Sequence, residues 1–365
     1  MSEPQRHKTS SAPRTEGVKY VGSKLRLIPY IMHLVEPLGA QTALDAFSGT
    51  TRVAQAFAQC GLHTHANDLA VWSEVFGNCY LIANKPEAYY LELIDHLNAQ
   101  PGHEGWFTQH YGGLPHEHKK PFQAHNTMKI DAIREEIDRL DLEWTDRCVL
   151  LTSLMLAMNA VDNTLGHFAA YLSEWAPRSY RSLTLTLPRK FRITTHNRVS
   201  RADALEAVSQ YHDLAYLDPP YGSNNAKMPP SRVRYAAYYH LWKTLVLNDR
   251  PTTFGKAVRR TDSSDKDTAS RFEDFRSDDE GQPLALKAID QLIAATNARH
   301  VVLSYSSGGR ADKDDLIDIL QQNGKLLQAL EIDHRRNVMA SMTWTGHWTN
   351  SKAAHKEYLF LLERS

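Results

Sequence analysis

The sequence predicts an open α/β fold: a mostly parallel seven-stranded sheet whose strand–helix alternation is broken once by a helical insertion. Three observations predict it. The apolar run Leu214-Ala215-Tyr216-Leu217 reads as a buried strand that stops at Asp218-Pro219-Pro220-Tyr221. Thr42-Ala43-Leu44 leads through Asp45-Ala46-Phe47-Ser48-Gly49-Thr50-Thr51 into helical spacing at Val53, Ala54 and Phe57. From about Lys85 to Arg198 the alternation gives way to helical stretches and irregular chain. Strands buried on both faces read as continuous apolar runs, and such sheets bind ligands in the crevice at their carboxyl ends.

The chain is 365 residues long, enough for one large α/β domain with an insertion. Its 42 basic and 42 acidic residues balance, so contact with a polyanion has to come from local patches. Cys60, Cys79 and Cys148 form no Cys-x-x-Cys pair and read as thiols of a reducing compartment. No apolar run is long enough for a membrane span, and the expectation is a soluble cytoplasmic protein.

Residues 1–17 are polar and are expected to form a disordered tail. In Lys19-Tyr20-Val21-Gly22-Ser23-Lys24 the glycine permits a turn between two lysines. Leu27, Ile28, Ile31, Leu34 and Val35 then recur at helical spacing, which predicts a helix to about Leu38. Thr42 to Leu44 is the first strand, and the glycine turn after it suits a carboxylate or phosphate. His63 to Asn67 is the second strand. Asp68 follows it at the distance from the glycine turn that suits ribose hydroxyls, or it caps the next helix.

Helices are predicted at Pro86–Asn98, Met128–Leu140 and Asp146–Ala160. His103 to His125 reads as an exposed loop; His116 and His118 lack further ligands at useful spacing, so no metal is expected. Asn163-Thr164-Leu165-Gly166-His167-Phe168 is a second irregular stretch. Arg178, Arg181, Arg189, Lys190, Arg192, Arg198 and Arg201 follow with no acidic residue between the first and last, interleaved with Tyr180 and Phe191. A basic run with aromatics fits a duplex backbone.

Arg198 to Ala202 is the third strand, and Asp203 ends it as an acceptor for a ligand or as a helix N-cap. After the organising loop, Ser223 to Arg234 carries Lys227, Arg232 and Arg234 and reads as a flexible stretch able to close over a substrate. Tyr235, Tyr238, Tyr239, His240 and Trp242 begin a helix and read as core. Arg250 to Gly281 reads as a long surface loop. Leu284–Ala295 and Asp314–Gln322 are helices, His300–Tyr305 is the fifth strand, and Leu326–Ile332 and Tyr358–Leu362 form a late antiparallel pair.

The loop after Leu217 has a chemistry of its own. Two prolines end the strand and hold the loop rigid. Asp218 and the Pro219 carbonyl are acceptors, and holding both N–H donors of an exocyclic amino group turns its lone pair towards an electrophile. Tyr221 offers a face for stacking a base. No cysteine lies nearby for covalent attack on a ring.

The chain resembles the alpha-group, Dam-like DNA adenine methyltransferases from Tyr20 to Leu362, least in the insertion and the acidic loop. Three motifs carry the resemblance in alpha-group order: the turn at Lys19–Lys24, the glycine motif at Asp45–Thr51, and Asp218-Pro219-Pro220-Tyr221. It implies a seven-stranded Rossmann-like methyltransferase sheet, with residues 18–84 and 199–365 as catalytic domain and 85–198 as an inserted target-recognition region. It implies that S-adenosylmethionine is the donor and that Tyr20, Gly22, Lys24, Asp45, Phe47 and Gly49 line its site, with Asp68 on the ribose and Asp203 on the adenine. Asp218, Pro219, Pro220 and Tyr221 form the catalytic motif and act on the 6-amino group of adenine. Asn163, with the loop to Phe168, and Arg178, Arg181, Arg189, Lys190 and Arg192 are expected on the DNA. The implied partner is double-stranded DNA, bound by a monomer, and the resemblance admits a cognate restriction endonuclease.

In one place the chain departs from the family. Where many members have Gly-x-Gly, Thr51 replaces the last glycine. A threonine disfavours positive φ and adds bulk, which bears on the backbone's approach to the donor and not on the fold. The alternatives are the 4-amino group of cytosine, for which a serine in place of Asp218 would speak, and an inactive DNA-binding relative. The Asp-Pro-Pro-Tyr loop and the single-glycine turn speak against a nicotinamide dehydrogenase.

Overall fold

A computed structural model describes residues 12–114, 120–191, 193–223, 235–264, 270–334 and 355–364. Seven strands form the main sheet: β1 (Thr42–Asp45), β2 (His63–Asn67), β3 (Arg198–Ser200), β4 (His212–Leu217), β5 (Ala298–Ser306), β6 (Lys325–His334) and β7 (His355–Glu363). Their spatial order is β6-β7-β5-β4-β1-β2-β3. Strands β3, β2, β1, β4 and β5 pair in parallel. β7 pairs antiparallel with both β5 and β6. The expected late antiparallel pair is therefore present, but only β7 runs against the sheet, and it lies inside it rather than at the edge.

The order reverses between β1 and β4, where their connections leave in opposite directions. This switch point opens a crevice beyond the carboxyl ends of both strands. The alternation of side chains along β4 feeds two cores. Leu214 and Tyr216 pack under α1 (Ile28–Val35) and α2 (Arg52–Gln59), with Val302, Leu359 and Leu361. Ala215 and Leu217 face the opposite layer, which contains Ile289 and Leu292 of Leu284–Ala295 and Leu316 of Lys313–Asn323.

A third core is helical. It joins α3 (Val71–Gly77) to α4 (Glu87–Ala99), α5 (Trp106–Tyr111), α6 (Ala124–Arg139) and α7 (Trp144–Val161). It also takes in Tyr239, Trp242 and Leu245, which follow the catalytic strand in sequence. The insertion thus shares its core with chain assigned from sequence to the catalytic domain. Arg134 of α6 shows the join: its Nε donates to the Leu245 carbonyl at 2.6 Å and its Nη2 to that of Val246 at 3.1 Å. These carbonyls end the helix His240–Leu247 and would otherwise be orphaned.

Two further expectations are corrected. The end of the polar tail is pinned: Arg52 donates to the carbonyls of Thr15 and Gly17, each at 2.9 Å, and the Gln55 amide exchanges two bonds with the Glu16 backbone. A polar composition suits an edge that is bonded as well as one that is loose. The segment read as a surface loop after Arg250 buries Arg260, Phe272 and Glu273. The Arg260 guanidinium is held by Asp249 and Asp262, which removes the objection to burying it. His116, His118, Lys227, Arg232 and Arg234 lie outside the described residues.

Replacing Arg134 with alanine should leave two buried carbonyls without donors and lower stability by about 2–4 kcal/mol. Urea unfolding checks this; a change below about 0.5 kcal/mol would mean that the join contributes nothing.

Candidate active site

β4 ends at Leu217, and Asp218 is the first residue beyond the ladder. Its Oδ2 lies 2.8 Å from Lys24 Nζ, with the side chains 14% and 8% exposed. Its Oδ1 accepts from the Tyr221 hydroxyl. Burial pushes the Asp218 carboxyl above its ordinary range, and the Lys24 ammonium and the Tyr221 hydroxyl oppose that. The loop is fixed from behind. Arg310 donates its backbone N–H to the Tyr221 carbonyl at 2.8 Å, and the Tyr221 ring meets Tyr305 at 4.8 Å. Lys24 Nζ stands 4.9 Å from the centre of the Tyr221 ring.

Lys24 reaches this point because the turn before it is clamped. Its Nζ donates to the Gly22 carbonyl at 3.1 Å. Gly22 has φ +82°, and a Cβ there would lie 2.8 Å from the Tyr235 hydroxyl, so both backbone and space call for glycine. Tyr20 stacks on Tyr239 at 4.5 Å, and Tyr239 stacks on Trp242 at 4.7 Å. The Tyr239 hydroxyl accepts from Val21 N at 2.7 Å. Of the aromatic residues read from sequence as core, Tyr239, His240 and Trp242 are buried and Tyr235 and Tyr238 half-buried, and Tyr239 also holds the N-terminal motif. Helical spacing marks an aromatic stripe but not the partner it grips.

The glycine turn is braced from the end of β2. Ser48 N donates to the Asn67 carbonyl at 2.8 Å, and Gly49 N to Asp68 Oδ2 at 2.8 Å. Asp68 Oδ1 accepts from Ala70 N at 2.9 Å. Asp68 therefore ties the glycine turn to the chain entering α3, whose N-cap is Ala70. Asp45 is buried; its Oδ2 accepts from Ala54 N at 3.1 Å, and its Oδ1 has no partner. Thr51 adopts φ 59° and ψ 17°, the left-handed conformation a glycine would take, while fully buried. Its hydroxyl donates to the Thr50 carbonyl at 2.8 Å and accepts from Gln55 Nε2 at 3.1 Å. The departure from Gly-x-Gly thus leaves the backbone path intact and places the strain against two side-chain bonds.

Tyr20, Gly22, Lys24, Asp45, Phe47, Gly49, Asp68, Asp203, Asp218 and Pro220 all line one cavity of about 1080 Å³. Asp203 is both cap and wall: its Oδ1 accepts from Leu205 N at 2.9 Å, and its Oδ2 pairs with Arg271 at 3.2 Å. The wall that sequence reasoning missed runs from Ser270 to Arg276. Phe272 meets Phe47 edge-on at 5.5 Å. The acidic character of this stretch hid its role; Phe272 was the one signal of burial.

The basic residues divide. Asn163 is fully buried; its Oδ1 accepts from Ala176 N at 2.8 Å. Arg178 pairs with the buried Asp162 at 2.6 Å. Lys190 donates to the Lys85 carbonyl and lies over the Tyr90 ring at 4.6 Å. These three have partners within the insertion. Arg181 and Arg189 are exposed, although Arg189 N donates to Glu16 Oε2 at 2.6 Å. Arg192 lies outside the described residues. Among the described residues no His, Cys, Asp and Glu group could hold a metal, and no helix is long and apolar enough to cross a membrane.

A seven-stranded sheet with an internal antiparallel strand, an acidic residue at the end of each of the first two strands and Asp-Pro-Pro-Tyr at the switch point define a nucleotide-type α/β enzyme crevice. Residues 20–280 match the family model of the D12 class N6 adenine-specific DNA methyltransferases, and the chain belongs to that family. It is similar to the modification methylase StsI of Streptococcus sanguinis, 27% identical over 84% of this chain and 46% of that protein. The type II methyltransferase M.NlaIII of Neisseria lactamica is 27% identical over 95% of this chain and 100% of that protein. M.FokI of Planomicrobium okeanokoites is 26% identical over 95% of this chain and 53% of that one. The chain thus spans about half the length of the StsI and FokI methylases and all of M.NlaIII.

Thr51→Gly should relieve about 1–2 kcal/mol of left-handed strain and give up about 1 kcal/mol of hydrogen bonding, leaving stability within about 1 kcal/mol of wild type. Thr51→Val keeps the strain, loses both bonds and should cost about 1–3 kcal/mol. Chemical denaturation of the pair separates the two contributions.

Proposed function

We propose that this chain transfers a methyl group from S-adenosylmethionine to the 6-amino group of adenine in duplex DNA, after the base is flipped from the stack. The observation that carries the reading is Asp218, held by Lys24 and Tyr221 at the end of β4 and facing a cavity lined by all three motifs. The family's adenine specificity favours this reading over the cytosine alternative. In this reading the chain acts as a monomer in the cytoplasm, as the modification half of a restriction–modification pair.

The residues present fit the donor. Asp45 keeps a buried, partnerless carboxylate oxygen in the cavity, a ready acceptor for an ammonium group. Asp68 retains lone pairs for ribose hydroxyls beyond its two backbone bonds. Phe47 and Phe272 offer an apolar wall, and Asp203 an acceptor at its rim. Tyr20, Gly22, Lys24 and Gly49 complete the lining. When bound, the donor supplies an electrophilic methyl on a sulfonium.

The chain's own part is positioning and charge. Flipping a base costs a few kcal/mol, and Tyr221 offsets it by stacking, worth about 1–3 kcal/mol. To do so its hydroxyl gives up Asp218, which frees Oδ1 for the amino group. Asp218 and the Pro219 carbonyl then accept both N–H groups, and Pro220 keeps the loop from turning away. The amino lone pair is left facing the cavity. Fixed acceptors of this kind need no reorganisation at the moment of reaction. Arg181 and Arg189 are the exposed members of the basic run retained as phosphate contacts.

Duplex DNA incubated with methyl-labelled donor and then digested should yield label in 6-methyladenine. Asp218→Ala should lower the rate by at least about 100-fold with donor binding retained. A fully active Asp218→Ala variant would sink the mechanism, and label in 4-methylcytosine would change the target base.

A further inference from the structure

Asn67 ends β2, is 1% exposed, and lies between the ends of β1 and β3, the strands on either side of it. Its Nδ2 donates to the Ala46 carbonyl at 3.2 Å and to the Ala202 carbonyl at 3.1 Å, and its Oδ1 accepts from Ala202 N at 3.2 Å. Ala46 follows Asp45, Ala202 precedes Asp203, and Asn67 itself precedes Asp68. One buried amide thus joins the neighbours of all three carboxylates assigned above to the ammonium, adenine and ribose of the donor, and it lines the same cavity.

The far side of the amide is held by a chain of side chains on one face of the sheet. His65 and Asn67 alternate along β2, opposite Arg198 and Ser200 of β3. Arg198 Nη2 lies 2.8 Å from His65 Nδ1; a guanidinium has no acceptor, so Nδ1 carries the lone pair. Burial holds the imidazole neutral, pushing its pKa down to about 3. The ring proton is therefore on Nε2, which donates to Ser200 Oγ at 2.7 Å. The Ser200 hydroxyl keeps its own proton for Asn67 Oδ1, also at 2.7 Å. Every bond agrees on the orientation: a reversed amide would set Oδ1 against two carbonyls and Nδ2 against an N–H.

We propose that Asn67 is the positioning residue that sets the spacing of Asp45, Asp68 and Asp203 for the donor, and that Ser200 and His65 hold it in that role. The inference rests on the reading of this crevice as an S-adenosylmethionine site. The β1–β2 ladder stops at Asp45 and Ala66, and the β2–β3 ladder at Asn67 and Ser200. The Asn67 amide continues the tie where the ladders give out, at the level of the three carboxylates. A ligand that reaches all three at once binds best when their separations are fixed before it arrives, because no ordering cost is then left to binding. Asn67 acts through the two loops it joins and transfers no proton.

Calorimetric titration with S-adenosylhomocysteine, the donor without its methyl group, tests this with no reaction involved. Asn67→Asp keeps the shape but loses both N–H donors, and it should weaken binding about 10- to 100-fold. Ser200 stands one bond behind the amide, so Ser200→Ala should cost less, about 3- to 10-fold. Ser200→Thr restores the hydroxyl and should bind within about twofold of wild type. Each titration is run well below the melting temperature of its variant, so that lost folded protein is not counted as lost affinity. The Ser200 pair keeps the test standing if Asn67→Asp fails to fold. Nitrogen-15 labelling of histidine gives a second readout: at neutral pH His65 should show the Nε2–H tautomer. Variants that bind as wild type does, a Ser200→Thr as weak as Ser200→Ala, or an Nδ1–H tautomer at His65 overturns the inference while the donor reading stands. A wild-type protein that does not bind S-adenosylhomocysteine overturns that reading and the inference with it.

Discussion

The ion pair between Lys24 and Asp218 is the interaction on which the rest of the site depends. Both charges are nearly out of water, and neither would be tolerated there alone. The pair forces the turn before α1 to lie against the end of β4, although nearly two hundred residues separate them in sequence. Everything that steers the turn then becomes part of the catalytic end of the sheet. Gly22 gives the backbone its path, the Tyr239 hydroxyl holds Val21, and Tyr20 is seated on a stack of rings. Removing one charge would leave the other buried and would loosen the motif along with the carboxylate.

The same stack ties the helical body to the crevice. Tyr239 and Trp242 belong to the core that runs through α3, α6 and α7, and they carry Tyr20 on their faces. Arg134 locks α6 to the end of the helix that bears those rings. The insertion therefore backs the cavity through that stack, although none of its described residues lines it. A shift of the helices on engaging a ligand would be felt at Tyr20 through contacts between rigid rings.

The sheet was legible because its strands are short apolar runs that end in marked residues. Leu214–Leu217 before Asp-Pro-Pro, and Thr42–Leu44 before the glycine turn, gave the order of the first parallel units. Leu284–Ala295 matched as a helix because its apolar spacing is regular. The site's centre was legible for the same reason: motifs at strand ends have few other places to lie. What escaped depended on tertiary contact. Arg178 and Lys190 read as a basic face, yet they satisfy Asp162 and a backbone carbonyl inside the insertion. A charge in a sequence does not disclose whether its partner is a phosphate or a neighbour. Ser270–Arg276 looked like solvent-exposed chain because charged residues surround its buried Phe272 and Glu273. Thr51 was read as an obstacle to a left-handed turn; Gln55, one helical turn on, supplies the hydrogen bond that helps hold it there.

The inward position of β7 sets an order of events during synthesis. β5 has only β4 beside it until β7 arrives, and β6, made earlier, has no place in the sheet without it. While the ribosome still holds the last strand, the nascent chain presents an open edge of apolar β5, a surface prone to pairing with other chains. Closure by β7 shields that edge and gives β6 its neighbour in the sheet in one step. The sheet's completion is thus a late event, and a product truncated before β7 leaves β6 without a neighbour.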